Sequence, residues 1–209
     1  MGELTGAPTR ARPLVLACGA LVRELRAVLD QDGIADTVDV EFLPAPLHNR
    51  PERIVPTIEE RLAAEPEDRP VVLGYADCGT GGRLDAYIAA SERPISRIAG
   101  DHCYGFFAGD RFAAIHGEEI GTFFLTDFLA KHFDALIWQG LWLDRHPELI
   151  DAFFGHYHRI VLLTQTGDEA VVAAARAAAQ QLDLDLDIVT TGLDPFADAV
   201  RVSLARVAA

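Results

Sequence analysis

Positive charge is scarce in this chain. Of its 209 residues, 18 are Lys or Arg against 32 Asp or Glu, a net charge of −14 at pH 7. A protein that tracks phosphates along nucleic acid needs the opposite balance. An anionic bilayer surface would repel this chain as well, so neither nucleic acid nor membrane is expected as a partner. A long hydrophobic run is also missing. The segment 13–22 (PLVLACGALV) is half the ~20 residues that a membrane span requires, and charged, helix-spaced residues follow it. The N-terminal MGELTGAPTRARP has basic residues but no apolar stretch leading to a small-residue cleavage site, so a secretory leader is not expected. The expected organisation is a loose tail over 1–12 and one α/β domain over 13–209, in a cytoplasmic protein. Cysteine is rare too: Cys18, Cys78 and Cys103 are the only three. An odd number speaks against a disulfide framework, and no pair has the C-x2-C spacing of a zinc ribbon.

Apolar residues make up 50% of the chain and charged residues 24%, enough to build a core and too apolar for wholesale disorder. Short apolar runs at 14–18, 38–43, 70–76, 95–99, 159–164 and 185–190 read as strands. Helical spacing follows at 20–30, 51–64, 83–91, 169–182 and 195–207. Residues 118–132, with Ile120, Phe124 and Phe128 four apart, also read as a helix, and 104–117 as an irregular aromatic stretch. Alternation of this kind predicts a mostly parallel sheet with helices on both faces, a Rossmann-like three-layer α/β sandwich. Ligands of such folds bind in the crevice outside the carboxyl ends of the strands.

The cysteines fall in that region. Cys18 closes the first strand, Cys78 the third, and Cys103 follows the short strand at 95–99. Three converging thiolates can hold Zn²⁺ with a fourth position open, or a [4Fe–4S] cluster with one iron free. His102 or His116 would complete or orient such a site. Cys18 and Cys78 also precede expected helices, whose N-terminal partial charge favours a thiolate. The ordinary alternative is that each cysteine is a small buried hydrophobe. The segment Gly79-Thr80-Gly81-Gly82 lies between a strand and a helix, where its amides could cradle an anion. It is not a G-x-G-x-x-G fingerprint and lacks the lysine of a P-loop; a plain tight turn is the alternative. His48 and Arg50, in a proline-rich loop after the second strand, could contact an anionic ligand, with His48 and His102 as acid–base candidates. The ordinary alternative is a rigid connection to the next helix. Thr166-Gly167-Asp168 reads as an ordinary helix cap.

Several of these segments together resemble the domain-of-unknown-function family 1638: Ala17-Cys18-Gly19-Ala20, LPAPLHNRPE from Leu43 to Glu52, Gly74 to Gly82 (GYADCGTGG), Asp101-His102-Cys103-Tyr104, and Gly121 to Phe128 (GTFFLTDF). The resemblance runs from about residue 14 to 195. It implies that the Cys, His and Gly-loop segments are marks of the family, and an association with corrinoid-dependent methyltransferase systems, which is not a mechanism.

Three functional expectations follow. The first is a metal-binding enzyme acting on a small molecule, with Cys18, Cys78 and Cys103 as ligands of Zn²⁺ or an iron–sulfur cluster, related to methyl transfer through Lewis-acid activation of a nucleophile. The second is a binding or accessory protein for a corrinoid or small anionic ligand, held by Gly79 to Gly82, His48 and Arg50. The third is a metal-free thiol enzyme with Cys18 or Cys78 as nucleophile and His102 as base. Apolar helical segments at 120–142 offer a face for a homodimer.

Overall fold

A computed structural model of the chain describes residues 11–208. The tail expected over 1–12 therefore lies, up to residue 10, outside the described residues. Elements follow in the order β1 (Leu14–Cys18), α1 (Val22–Gln31), β2 (Asp39–Leu43), α2 (Ile54–Leu62), β3 (Val71–Gly74), α3 (Arg83–Ala90), β4 (Ile95–Arg97), α4 (Cys103–Ala108), α5 (Asp110–Glu118), β5 (Thr122–Thr126), α6 (Asp127–Lys131), α7 (Ile150–Phe154), β6 (Arg159–Thr164), α8 (Glu169–Leu182), β7 (Asp185–Thr190) and α9 (Asp194–Ala208).

The strands form two parallel sheets rather than one. The first has the order β2-β1-β3-β4 and the second β5-β6-β7. The central strands β1 and β3 are apolar on both faces, as strands covered by helices on each side must be. Val15, Ala17 and Val72 face a core made by Leu25, Val28 and Leu29 of α1 and Phe196 and Val200 of α9. Leu14, Leu16 and Leu73 face the opposite way, onto Ile54, Ile58 and Leu62 of α2 and Leu84 of α3. The α/β three-layer arrangement read from the sequence is thus present, built around two sheets. Helix α9 returns to the first sheet, where the Ser96 hydroxyl donates to the Ser203 carbonyl at 2.9 Å. In the second sheet Leu125, Ile160 and Leu162 pack on α6 and α8, and Phe124, Val161 and Leu163 pack on Ala108, Phe112 and Ile115 of α4 and α5. The outer strand β7 (DLDIVT) places Asp185 and Asp187 on its exposed side, a charge pattern that discourages edge-to-edge pairing. Among the described residues no helix is long and apolar enough to cross a membrane.

Two expectations of local structure are corrected. The segment 118–132 is not one helix: Thr122–Thr126 is a strand, paired with β6 from Thr122↔Arg159 to Thr126↔Leu163. The four-residue spacing of Ile120, Phe124 and Phe128 is coincidental. The β-favouring sequence TFFLT pairs with β6, and Ile120 stands 77% exposed. The Thr126 hydroxyl then caps α6 by accepting from the Leu129 amide. Conversely, 104–117 is mostly helical, as α4 and α5 separated at Gly109 (φ 57°). Pro56, inside the expected second helix, lies in the first turn of α2, where its missing N–H leaves no intrahelical bond unmade.

Strands β1 and β3 pair with Ala17 opposite Gly74. A Cβ on Gly74 would come within 2.5 Å of the Ala17 Cβ and 2.9 Å of its Cα. Neither strand can move, because both faces are buried. Gly74→Ala is expected to destabilise the fold by about 1–3 kcal/mol, the usual range for an overpacked core, read as a lower urea midpoint with unchanged slope.

Candidate functional site

The loops after β3 and β4 are joined by backbone hydrogen bonds. The Asp77 amide donates to the Gly100 carbonyl at 3.0 Å and the Cys78 amide to the Asp101 carbonyl at 2.8 Å. Cys78 takes a left-handed conformation (φ 51°) at this junction, an uncommon state for a residue with a side chain, kept by the contacts around it. Two residues after Asp101, Cys103 begins α4. That helix lies between the two sheets: Phe106 and Phe107 belong to the first core, while Ala108 and Tyr104 join the second. Cys18 arrives from the end of β1.

The three thiols line one cavity of about 40 Å³, together with Tyr75, His48 and the apolar side chains of Leu21, Ile54, Phe106, Phe107 and Leu129. Leu129, on α6, comes from the second sheet's half, so the cavity lies in the crevice between the sheets. All three cysteines are free. The lining holds no Lys, Arg, Asp or Glu. Burial pushes each thiol up: Cys78 to about 12, reinforced by Cys18; Cys103 well above the ordinary range, reinforced by Cys78 and Cys18; and Cys18 despite a hydrogen bond from the Ala20 backbone. The helix-end lowering expected for Cys18 and Cys78 is thus outweighed by desolvation, because an apolar wall disfavours the anion more than a partial charge favours it. The Tyr75 hydroxyl is buried beside the Cys18 thiol, close enough for the two to interact but without a well-formed hydrogen bond among the described residues, and burial followed by the neighbouring Cys18 and Cys78 raises its pKa.

An adjoining cavity of about 300 Å³ shares Cys78, Cys103 and His48 with the first and adds Gly79, Pro51, His102 and Tyr104. His48 therefore stands at the mouth, exposed to solvent. Desolvation of its ring, and then His102, lower its pKa. His102 and His48 are thus brought to the cysteines. His116 is not: it lies on α5, its ring 5.9 Å from Phe112, and lines neither of these two cavities.

The Gly-rich segment serves Asp77. Its carboxylate accepts from the Thr80 hydroxyl at 2.6 Å, the Gly82 amide at 2.9 Å and the Gly81 amide at 3.0 Å. Burial alone would raise Asp77, but these bonds win and hold it below its ordinary value. The amides of Gly81 and Gly82 are therefore engaged within the loop, and Thr80 is buried. Of the segment only Gly79 reaches the crevice. Arg50 is exposed and lines neither cavity. Asp168 caps α8, accepting from the Ala170 amide at 2.9 Å.

The sequence does not single out Tyr75 or Leu129 for this site, whereas the aromatic set Tyr104, Phe106, Phe107, Phe123, Phe124 and Phe128 reads as core or as a lid on the crevice. Tyr75 directly follows the third strand, which was the one available signal; the others depend on how α4 and α6 pack. Among the described residues, no group of three or more His, Cys, Asp and Glu side chains is arranged to hold a metal ion as it stands.

Two outcomes follow from the electrostatics. In the metal-free chain, Cys78 should alkylate with iodoacetamide on the order of a thousandfold more slowly than in the unfolded chain near neutral pH, since a shift from about 9 to about 12 lowers the thiolate fraction tenfold per unit. Mass-spectrometric mapping of the modified peptide reads this, and a rate like that of a free thiol would refute the burial. Asp77, lowered in the fold, contributes stability that is complete above its ordinary value of 3.8 and lost as the pH falls below it. Asp77→Asn should weaken the fold at neutral pH and flatten this acid limb in a series of urea midpoints.

The family model described as "Protein of unknown function (DUF1638)" matches residues 42–200. No curated protein and no solved structure matches the chain.

Proposed function

The chain belongs to the DUF1638 family, and we propose that Cys18, Cys78 and Cys103 are the ligands of a single thiophilic metal ion, of which Zn²⁺ is the type, at a centre that acts on a small molecule in the crevice. The observation that carries this reading is that three cysteines, 60 and 25 residues apart in sequence, line one apolar cavity that no Lys, Arg, Asp or Glu lines. Soft sulfur donors in such surroundings suit Zn²⁺ and disfavour Mg²⁺ or Ca²⁺. The cavity, at about 40 Å³, has room for roughly three waters at ~10–15 Å³ each. An ion with one further ligand fits that space.

The side chains as they stand do not form a closed ligand set, so the reading requires the thiols to turn inward. Each cysteine has a single side-chain torsion to change, between staggered wells. The backbone that carries them is held by β1 pairing and by the bonds between the β3 and β4 loops. Held by Cys18, Cys78 and Cys103, a zinc ion would supply Lewis-acid chemistry toward a small nucleophile, a thiol above all. The residues around it have distinct tasks. Tyr75 offers an unpaired buried hydroxyl to a ligand held in the cavity. His48, its ring held toward the neutral form by desolvation, stands at the mouth as the acceptor for the proton of an incoming group. Leu21, Ile54, Phe106 and Phe107 keep water out.

The test is metal analysis of protein purified without oxygen, and of the metal-free chain loaded with zinc under reducing conditions. About one zinc per chain is expected, lost in Cys78→Ser and in the triple Cys→Ser variant. Failure to bind zinc, or its retention by the triple variant, refutes the ligand set. A broad visible absorption with stoichiometric iron would keep the three ligands and replace the ion by a cluster.

A further inference from the structure

Next to the cysteine crevice lies a third cavity of about 330 Å³, walled by Tyr104, Phe112, Phe123, Phe124 and Tyr157, with His102, His116, Asp101 and the exposed Ile120 at its edge. It shares His102 and Tyr104 with the cavity that His48, Cys78 and Cys103 line. We propose that this aromatic cleft binds an organic ammonium cation and holds it toward the cysteines.

Three observations carry the assignment. The first is the wall. Tyr104, Phe112 and Phe124 form one ring cluster, with centroids 5.4 Å apart for Tyr104–Phe124 and 5.0 Å for Phe112–Phe124, and Tyr157 packs on Phe123 at 5.5 Å. Electron-rich rings attract a cation by their quadrupole, and an alkylated ammonium is the form that gives up its hydration most readily. A hydrated metal ion would find too few oxygen ligands here. The second is the sign of the charge. None of the three adjoining cavities is lined by Lys or Arg, whereas Asp101 lines the cleft and its carboxylate has no ion pair or hydrogen bond among the described residues. Arg159, which touches the edge through the Thr122 hydroxyl, is paired with Asp187. A carboxylate or phosphate ligand would thus meet an uncompensated negative charge, in a chain whose net charge is −14. The third is continuity: a cation seated against Tyr104 extends past His102 toward Cys78 and Cys103. The inference names a substrate class for the cysteine centre and rests on that reading for its chemical meaning, but binding in the cleft is measurable without a metal.

Choline and its uncharged isostere 3,3-dimethylbutan-1-ol are titrated against the full chain by calorimetry, with benzoate as the anionic control. The titrations run at pH 8, above the range in which imidazole rings usually carry charge. Choline should bind saturably and about tenfold or more tightly than the alcohol, and benzoate should not bind. Asp101→Asn and Phe112→Leu should each weaken choline about three- to tenfold; Phe112→Leu keeps the apolar packing while removing the ring, and unchanged circular dichroism checks the fold. No saturable choline binding, an alcohol that binds equally well, or choline affinity indifferent to both substitutions overturns the proposal. The same titration on the triple Cys→Ser variant separates the two readings. Choline binding retained where zinc is lost or never bound leaves the cleft standing without the metal centre. Zinc retained by the native chain with no choline binding sinks the cleft alone.

Discussion

The crevice depends on a six-residue helix. Helix α4 inserts Phe106 and Phe107 into the core of the first sheet and directs Tyr104 and Ala108 to that of the second. Two parallel sheets with separate cores would otherwise be free to shift against one another, since interfaces between packed halves are bistable more than deformable. Because α4 belongs to both, the carboxyl ends of β1 and β3 are held opposite α6 at a set distance. The same helix opens with Cys103, so the segment that joins the sheets also completes the cysteine cavity. The role is structural first, and the chemistry follows from where the joint leaves its N-terminus.

A second constraint acts within the first sheet. Parallel pairing brings the ends of β1 and β3 to one edge, which is why ligand sites of such folds gather there. Pairing alone would not bring Cys78 to Cys103. The Asp77 and Cys78 amides do so by bonding to the Gly100 and Asp101 carbonyls, and Asp77 steadies the turn that follows by accepting from Thr80, Gly81 and Gly82. The glycines work for the loop's own shape: Gly82 adopts φ 80° and hands over directly to α3, a conformation that a side chain would resist. A Gly-rich turn between strand and helix suggests an anion site on sight. Here the negative group it holds is part of the chain.

The surroundings of the thiols set their chemistry. A cysteine at a helix start in water is an activated nucleophile; the same cysteine walled by Leu21, Ile54, Phe106, Phe107 and Leu129 is a neutral thiol. This separates the two uses weighed for them. A metal-free nucleophile needs a cation or an imidazolium beside the sulfur; the cavity lining supplies no Lys or Arg, and its one imidazole is His48, with His102 in the adjoining cavity. A thiophilic ion brings its own charge and exchanges for the protons. The cleft beyond His102 has the complementary character, aromatic and edged by Asp101, so on the two proposals made above the crevice takes soft and positively charged partners.

The sequence alone determined the strand and helix order over most of the chain, because buried parallel strands such as LVLAC and RIVLLT are apolar without interruption and α8 is rich in alanine with Asp168 at its cap. It also determined that the cysteines, at a strand end or in the segment that follows one, would lie at one edge of the molecule. It could not reveal β5, since TFFLT following Ile120 carries helical spacing and strand composition at once, and only pairing with β6 decides between them. Nor could it reveal that the strands divide into two sheets, that α4 joins them, or that Tyr75, Phe106, Phe107 and Leu129 wall the cavity. Those facts depend on which apolar faces meet across long sequence separations. The thiol pKa values turned on the same facts: spacing placed the cysteines at helix starts, but desolvation is a property of the whole wall, and the wall exists only once the two halves have packed.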